Sequence, residues 1–257
     1  MKLITLNVWG GRHYKDLINF FKKYSNKTDI FCLQEVFDSK CLAENTEIRT
    51  NFYSEVSKVL SNFNGFFAPA IKNYDNSITA VNFDLFYGLA IFVNKNIKID
   101  SINDFFVYRN RFDVKINEKT KLKEIPRNLQ HIHFKIKNKK YIVANLHGIW
   151  TGGGKEDNYE RIQQSNKVNS FLCKEDGAKI LCGDFNLLPT TESLKILEKD
   201  MVNLVKKYGV TSTRSHYYTK ENKFADYILV SDDVKVKDFK VLEDVVSDHL
   251  PLYLEFE

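Results

Sequence analysis

The chain of 257 residues is 43% hydrophobic, 14% aromatic and 28% charged, which excludes a disordered or fibrous protein and leaves ample material for a core. Lysine and arginine exceed aspartate and glutamate by 38 − 33 = 5, an excess that suits anionic partners without naming one. No apolar run approaches the roughly 20 residues that span a bilayer, so a transmembrane protein is not expected.

Lys2 to Leu6 reads as a short strand, and Leu17, Phe20, Phe21 and Tyr24 recur at helical spacing over residues 14–24. Ile30 to Gln34 is an apolar run of strand length. Phe52, Val56, Val59, Leu60 and Phe63 mark a second amphipathic helix. Gly88 to Val93 is another apolar strand. Residues 131–137 alternate, with Ile132, Phe134 and Ile136 on one face, and Asn138-Lys139 turns the chain into a strand from Tyr141 to His147. A glycine-rich loop, Gly148 to Asp157, precedes a helix from about Tyr159 to Cys173. A strand at Lys179–Cys182, a helix near Ser193–Lys199 and late strands at Tyr227–Val230 and Leu252–Phe256 complete the pattern. Strands and helices interleave throughout, which argues for an α/β chain. Cys32, Cys41, Cys173 and Cys182 form no CxxC or CxxH pair, so a zinc site is not indicated. Cys32 and Cys182 sit in apolar runs and read as small buried hydrophobes. The start of the chain shows no leader-like apolar segment, and a reduced, cytoplasmic setting is expected.

Chemistry-bearing residues fall at strand ends. The first strand delivers Asn7, the second Glu35, and the strand from Tyr141 ends at His147. The strand from Lys179 runs into Gly183-Asp184-Phe185-Asn186. Asp226 opens the Tyr227 strand, and Ser247-Asp248-His249 precedes the last one. Loops at strand ends are where α/β folds place function. Singly, each residue is an ordinary turn or surface residue; their joint occurrence in this order is the signal.

With those motifs in hand (TLNVWGG, LQEV, NLHG, GDFN, ADYILVS and SDHLP) the chain resembles the endonuclease/exonuclease/phosphatase superfamily, over nearly its whole length. That superfamily includes deoxyribonuclease I, exonuclease III, abasic-site endonucleases, inositol-polyphosphate phosphatases and neutral sphingomyelinases. The resemblance implies a four-layered α/β/β/α sandwich of two packed mixed β-sheets flanked by helices. One catalytic domain would span residues 1–257, because its site residues come from both ends of the chain. It implies Mg²⁺ (or Mn²⁺) held by Glu35 and Asn7, with Asp248 on the same cluster. Hard oxygen donors suit those ions independently. His249 is implied as the base or the group that stabilises the phosphorane, and Asp226 as the group that orients its ring. Asp184 and Asn186 would position the water and the phosphoryl oxygens, and His147 would bind phosphate or protonate the leaving group. Whether Asp184 or His249 takes the proton stays open in the sequence.

Two departures stand out. Many relatives carry Arg two residues before the aspartate of DYIL, where this chain has Phe224, so a phosphate contact of the family is either missing or supplied by Lys223. The carboxylate that pairs with the first histidine in deoxyribonuclease I has no counterpart in Phe86-Tyr87-Gly88-Leu89. Around the motifs, Arg127, Trp150, Lys155 and Tyr217 are candidate substrate-binding residues. The consecutive glycines before Lys155 would let backbone N–H groups approach a phosphate, Trp150 would stack on a base, and the pair Tyr217-Tyr218 would stack on bases or fill the sheet edge. Arg161 reads as a surface residue opening its helix, and Arg12 and His13 as a solvated loop or, as the second reading, a rim of the cleft. The expected reaction is metal-assisted, in-line hydrolysis of a phosphoester. The expected enzyme is first a monomeric nuclease cleaving DNA or RNA, and second a phosphatase or phosphodiesterase of a small or lipid phosphoester.

Overall fold

Two six-stranded sheets pack face to face in the computed structural model, which describes residues 1–41, 47–75, 77–110 and 125–257. Helices cover the outer faces, giving the four-layered sandwich. The first sheet holds β1 (Lys2–Asn7), β2 (Ile30–Asp38), β3 (Phe63–Lys72), β4 (Phe86–Asn94), β11 (Val236–Val241) and β12 (Leu252–Phe256), in the order β11-β12-β1-β2-β4-β3. The second holds β5 (Ile99–Tyr108), β6 (Arg127–Ile136), β7 (Lys139–His147), β8 (Ala178–Asp184), β9 (Val202–Asn203) and β10 (Asp226–Val230), in the order β5-β6-β7-β8-β10-β9. Each sheet has one parallel pair at its centre, β1 with β2 and β7 with β8; every other pairing is antiparallel.

The uninterrupted apolar runs follow from burial on both faces. In β2, Ile30 and Cys32 face the layer between the sheets, while Phe31 and Leu33 face α1 (Tyr14–Tyr24) and α2 (Phe52–Val59). Cys182 in β8 faces the same inner layer as Cys32, as both apolar runs predict. On the second sheet, α3 (Tyr159–Leu172) sends Val168 and Leu172 into the core. No helix among the described residues is long and apolar enough to cross a membrane.

Four strands are not predicted from the sequence: β3, β5, β9 and β11. The second helix stops at Val59, and Phe63, which fits its helical spacing, opens β3 instead. Phe63 still packs with the helix residues, so the apolar spacing served the core rather than one element. β3 is an edge strand, where Pro69 removes no needed donor. β5, another edge, alternates weakly because most of its residues are partly exposed.

A polar clamp joins the sheets close to their functional end. Gln34 Nε2 donates to Asn145 Oδ1 at 2.7 Å, and Asn145 Nδ2 donates to the Leu33 carbonyl at 3.0 Å. Both side chains are completely buried. Gln34 precedes Glu35, and Asn145 lies two residues before His147, so the clamp fixes the two sheets where they deliver site residues.

Candidate active site

The C-terminal ends of the two parallel pairs lie side by side. Asn7 is in register with Gln34 at one, and His147 with Asp184 at the other. β10 runs antiparallel to β8, so its first residue, Asp226, pairs with Asp184 at the same end. Backbone irregularities turn the side chains inward. A bulge interrupts the β2–β4 ladder between Leu33 and Val36, and Glu35 within it has φ 57°. Bulges re-aim side chains beside functional sites, and a positive φ at a non-glycine residue is strain that surrounding packing must hold. Asn186 likewise has φ 53°. Gly183 (φ +131°) lies so close to β7 that a Cβ there would meet the Leu146 carbonyl oxygen at 2.1 Å, which is why the GDFN motif opens on glycine.

Asn7 is fully buried, and its Nδ2 donates at 3.0 Å to both Glu35 Oε1 and Asp184 Oδ2. Its Oδ1 accepts the Trp9 N–H. Asn7 thus ties two carboxylates together, with its oxygen spent on the backbone. Burial, reinforced by Asp248 and Asp184, pushes the Glu35 carboxyl up to about 7 although the Asn7 bond opposes this. Such crowded buried carboxylates are the setting a divalent cation relieves. Oxygen and nitrogen atoms of Glu35, His147 and Asp184 lie within 4.8 Å of one another, as do those of Asp184, Asp226 and His249. Asp248, expected on the metal cluster, belongs to neither group and is ion-paired with Arg214 at 2.7 Å.

His249 Nδ1 lies 2.8 and 2.9 Å from the two oxygens of Asp226. Burial and Arg214 lower its pKa to about 4. At neutral pH the ring is therefore uncharged, and the Asp226 contact holds the proton on Nδ1. Nε2 keeps its lone pair and faces Asp184 Oδ2 at 3.5 Å. Burial raises Asp226 to about 6, against the pull of Arg214 and a hydrogen bond from Thr213.

His147 has the opposite polarity. Its Nδ1 lies 3.2 Å from both the Tyr87 hydroxyl and Arg127 Nη1. Both are donors, so Nδ1 accepts and Nε2 carries the proton, directed at Glu35 and Asp184, each 3.8 Å away. Burial and Arg127 hold the imidazole well below its usual range. The stretch that lacks a carboxylate thus supplies a phenol instead. Tyr87 was legible only as an absence of Glu.

A cavity of about 360 Å³ opens on these groups. Trp150, Lys155 and Arg127 line it, as the sequence suggests, together with Arg12, Arg214 and Tyr218. Tyr217, by contrast, stacks on His13 with ring centroids 4.2 Å apart and does not line the cavity; of the tyrosine pair it is Tyr218 that does. Arg12 borders the cavity rather than only a solvated loop. Arg161 is buried, and its guanidinium donates to the carbonyls of Ile149, Glu156 and Gly154. It therefore pins the glycine-rich loop to α3, and the three consecutive glycines stay outside the cavity lining. Lys223 is not the substitute for the missing Arg: its Nζ donates to the Tyr218 carbonyl. Lys155 Nζ instead meets the Phe224 carbonyl at 2.6 Å. Arg214 carries no motif; its isolated bridge to His249 and its ion pair with Asp248 bring it into the site.

The sequence matches the model of the endonuclease/exonuclease/phosphatase family across residues 4–249. The chain belongs to the endonuclease/exonuclease/phosphatase family. Members of this family are hydrolases acting on phosphoesters, and the family is in general dependent on a divalent metal. No curated protein sequence matches the chain. Solved family structures share its fold. One from Leptotrichia buccalis superimposes with TM-score 0.72 at 17% identity, covering 100% of this chain and 99% of its own. A mannosyl-6-phosphatase of Bacteroides thetaiotaomicron gives 0.71 at 17% identity, with the same coverage. The catalytic domain of human Nocturnin, solved with a bound sulfate anion, gives 0.68 at 18% identity, covering 100% of this chain and 94% of that domain.

Proposed function

We propose that this protein hydrolyses the phosphoester of a small molecule by in-line attack of water, as one catalytic domain. The observation that carries the choice of substrate is the cavity. Its volume of about 360 Å³ is that of a small-ligand site, and apolar Ile71, Ile78 and Ile125 share its walls with the polar groups. Nucleic acid, which the sequence reading put first, retains Trp150 as a stacking surface but loses Tyr217.

Glu35 and Asp184 are the residues that would hold a divalent cation, and their oxygen donors fit Mg²⁺ or Mn²⁺. Bound there, the cation would supply positive charge against the phosphoryl oxygens and the departing oxygen. The remaining roles belong to the protein. Asp184 Oδ1 accepts the Asn186 N–H and Oδ2 the Asn7 amide, which orients the carboxylate and leaves one lone pair on each oxygen for the cation. His249 is the base: Asp226 holds the proton on Nδ1, and the free Nε2 takes a proton from the attacking water. The P–O ester bond breaks as the water oxygen bonds to phosphorus. The proton taken up by His249 Nε2 is returned through solvent to the departing alkoxide, which leaves as an alcohol, so the base is regenerated and one water is consumed overall. His147 Nε2–H donates a hydrogen bond to the phosphoryl group or the leaving oxygen. Asn7 positions Glu35 and Asp184.

Purified protein incubated with Mg²⁺ and a panel of small phosphoesters, single- and double-stranded DNA and RNA tests the proposal, with His249→Ala as control. Release of product from small esters, lost in the variant, is expected. Cleavage confined to the polymers would overturn the small-substrate reading.

A further inference from the structure

Buried ions in proteins are paired, because an isolated charge loses its hydration without compensation. Most ionised groups of this site obey that rule. Asp248 pairs with Arg214, Asp226 accepts from His249 and Thr213, and Glu35 and Asp184 share the Asn7 amide. Two cations do not. Lys155 is 4% exposed, and its Nζ donates to the Phe224 carbonyl. Arg127 is also 4% exposed, and its Nη1 contacts His147 Nδ1. Neither has a carboxylate partner within 4.0 Å among the described residues. Both line the reaction cavity.

Their positions bracket the reacting groups. Arg127 lies against His147 and Tyr87 at the end of β7. Lys155 lies over the ring of Tyr218, with Nζ 5.1 Å from the centroid, and Arg214 stacks on the same ring at 4.3 Å. The Phe224 carbonyl, two residues before Asp226, accepts from Lys155. An ammonium has three N–H donors, and one is used here.

Resting on the phosphoesterase reading, we propose that Lys155 and Arg127 hold a dianionic phosphoryl group between them, so that the site takes terminal phosphomonoesters in preference to phosphodiesters. A terminal phosphate carries two negative charges and three non-bridging oxygens. A diester carries one charge and two such oxygens. Two unpaired cations match the first in charge, and their spare N–H groups match its additional oxygen.

Isothermal titration in the presence of Mg²⁺ tests this with two probes, inorganic phosphate (largely dianionic at pH 7.5) and dimethyl phosphate (monoanionic). Inorganic phosphate should bind at least tenfold more tightly than dimethyl phosphate. Lys155→Gln keeps an N–H donor for the Phe224 carbonyl and removes the charge. It should weaken phosphate binding at least tenfold and leave dimethyl phosphate binding within twofold. Lys155→Arg should restore phosphate binding to within about threefold. Equal affinity for the two probes overturns the proposal. So does unchanged phosphate affinity in Lys155→Gln at an unchanged melting temperature. If Lys155→Gln does not fold, the proposal stands or falls on the ratio of the two probes in the wild-type protein and Lys155→Arg. Charge-selective phosphate binding without turnover of any phosphoester would remove the phosphoesterase reading and leave the anion seat. Turnover of diesters and monoesters at equal rates would do the reverse.

Discussion

Replacing Asn145 with leucine removes the polar clamp between the sheets while keeping a side chain of similar size. Three hydrogen bonds disappear: from Gln34 Nε2 at 2.7 Å, and to the carbonyls of Leu33 at 3.0 Å and Ala90 at 3.4 Å. The two short ones contribute about 1 kcal/mol each, and polar groups stranded in the core add about 1–3 kcal/mol. Gln34 keeps Thr5 Oγ1 and the Cys32 carbonyl as acceptors, which puts the added cost near the low end. The expected destabilisation is therefore about 3–4 kcal/mol, or a fall of roughly 10 °C in Tm at this chain length. Urea unfolding followed by circular dichroism measures the first and a thermal melt the second. The double variant Gln34→Leu/Asn145→Leu should recover part of the loss, because two apolar partners leave fewer stranded groups than one. A single-variant loss below about 1 kcal/mol, or strict additivity in the double variant, would refute the clamp as a coupled unit.

Asp226→Asn should lower kcat by roughly 100-fold or more with little change in stability, because it no longer fixes the His249 proton on Nδ1; steady-state kinetics on the best substrate checks this. Tyr87→Phe should lower kcat by about tenfold, since His147 Nδ1 loses one of the two donors that hold its tautomer and orientation; an unchanged rate would leave Arg127 as the sole determinant. Chelation by EDTA should abolish turnover and Mg²⁺ restore it, and Glu35→Ala should raise the Mg²⁺ concentration needed for half-maximal rate more than it lowers the maximum. His131 makes the fold acid-sensitive. It lies between Phe105 and Phe171, beside His133 and Glu175, and burial lowers it from 6.5 to about 4. The unfolded chain binds its proton near 6.5 and the folded one only near 4, so stability falls as pH drops through that window. Relative to His131→Phe, the wild-type protein should lose about 1–2 kcal/mol between pH 7 and pH 5 in urea melts.

Much of the candidate site was legible because strand-end polar residues interrupt apolar runs. Asn7, Glu35, His147, Asp184, Asp226 and His249 each follow or precede such a run, and the sandwich brings them to one end. Arg214 was not legible, Tyr87 only as the lack of a carboxylate, and Tyr218 only as half of an aromatic pair. They belong to no motif, and their roles depend on which strand ends meet. Tyr217 and Tyr218 show the limit plainly: adjacent aromatics are equivalent in sequence, and only the backbone path decides that one stacks on His13 and the other lines the cavity.

Hydrophobic periodicity and motif order are properties of the chain alone, and they carry the α/β class, the apolar runs of the central strands and the family. The tertiary structure decided the protonation pattern. His147 accepts at Nδ1 and His249 donates there, although both are histidines at strand or loop ends. It also decided which cations are neutralised. Arg214 meets Asp248, while among the described residues Lys155 and Arg127 meet no carboxylate within 4.0 Å. Charge and tautomer depend on distances between residues remote in sequence, set when two sheets pack, and a linear chain does not contain those distances.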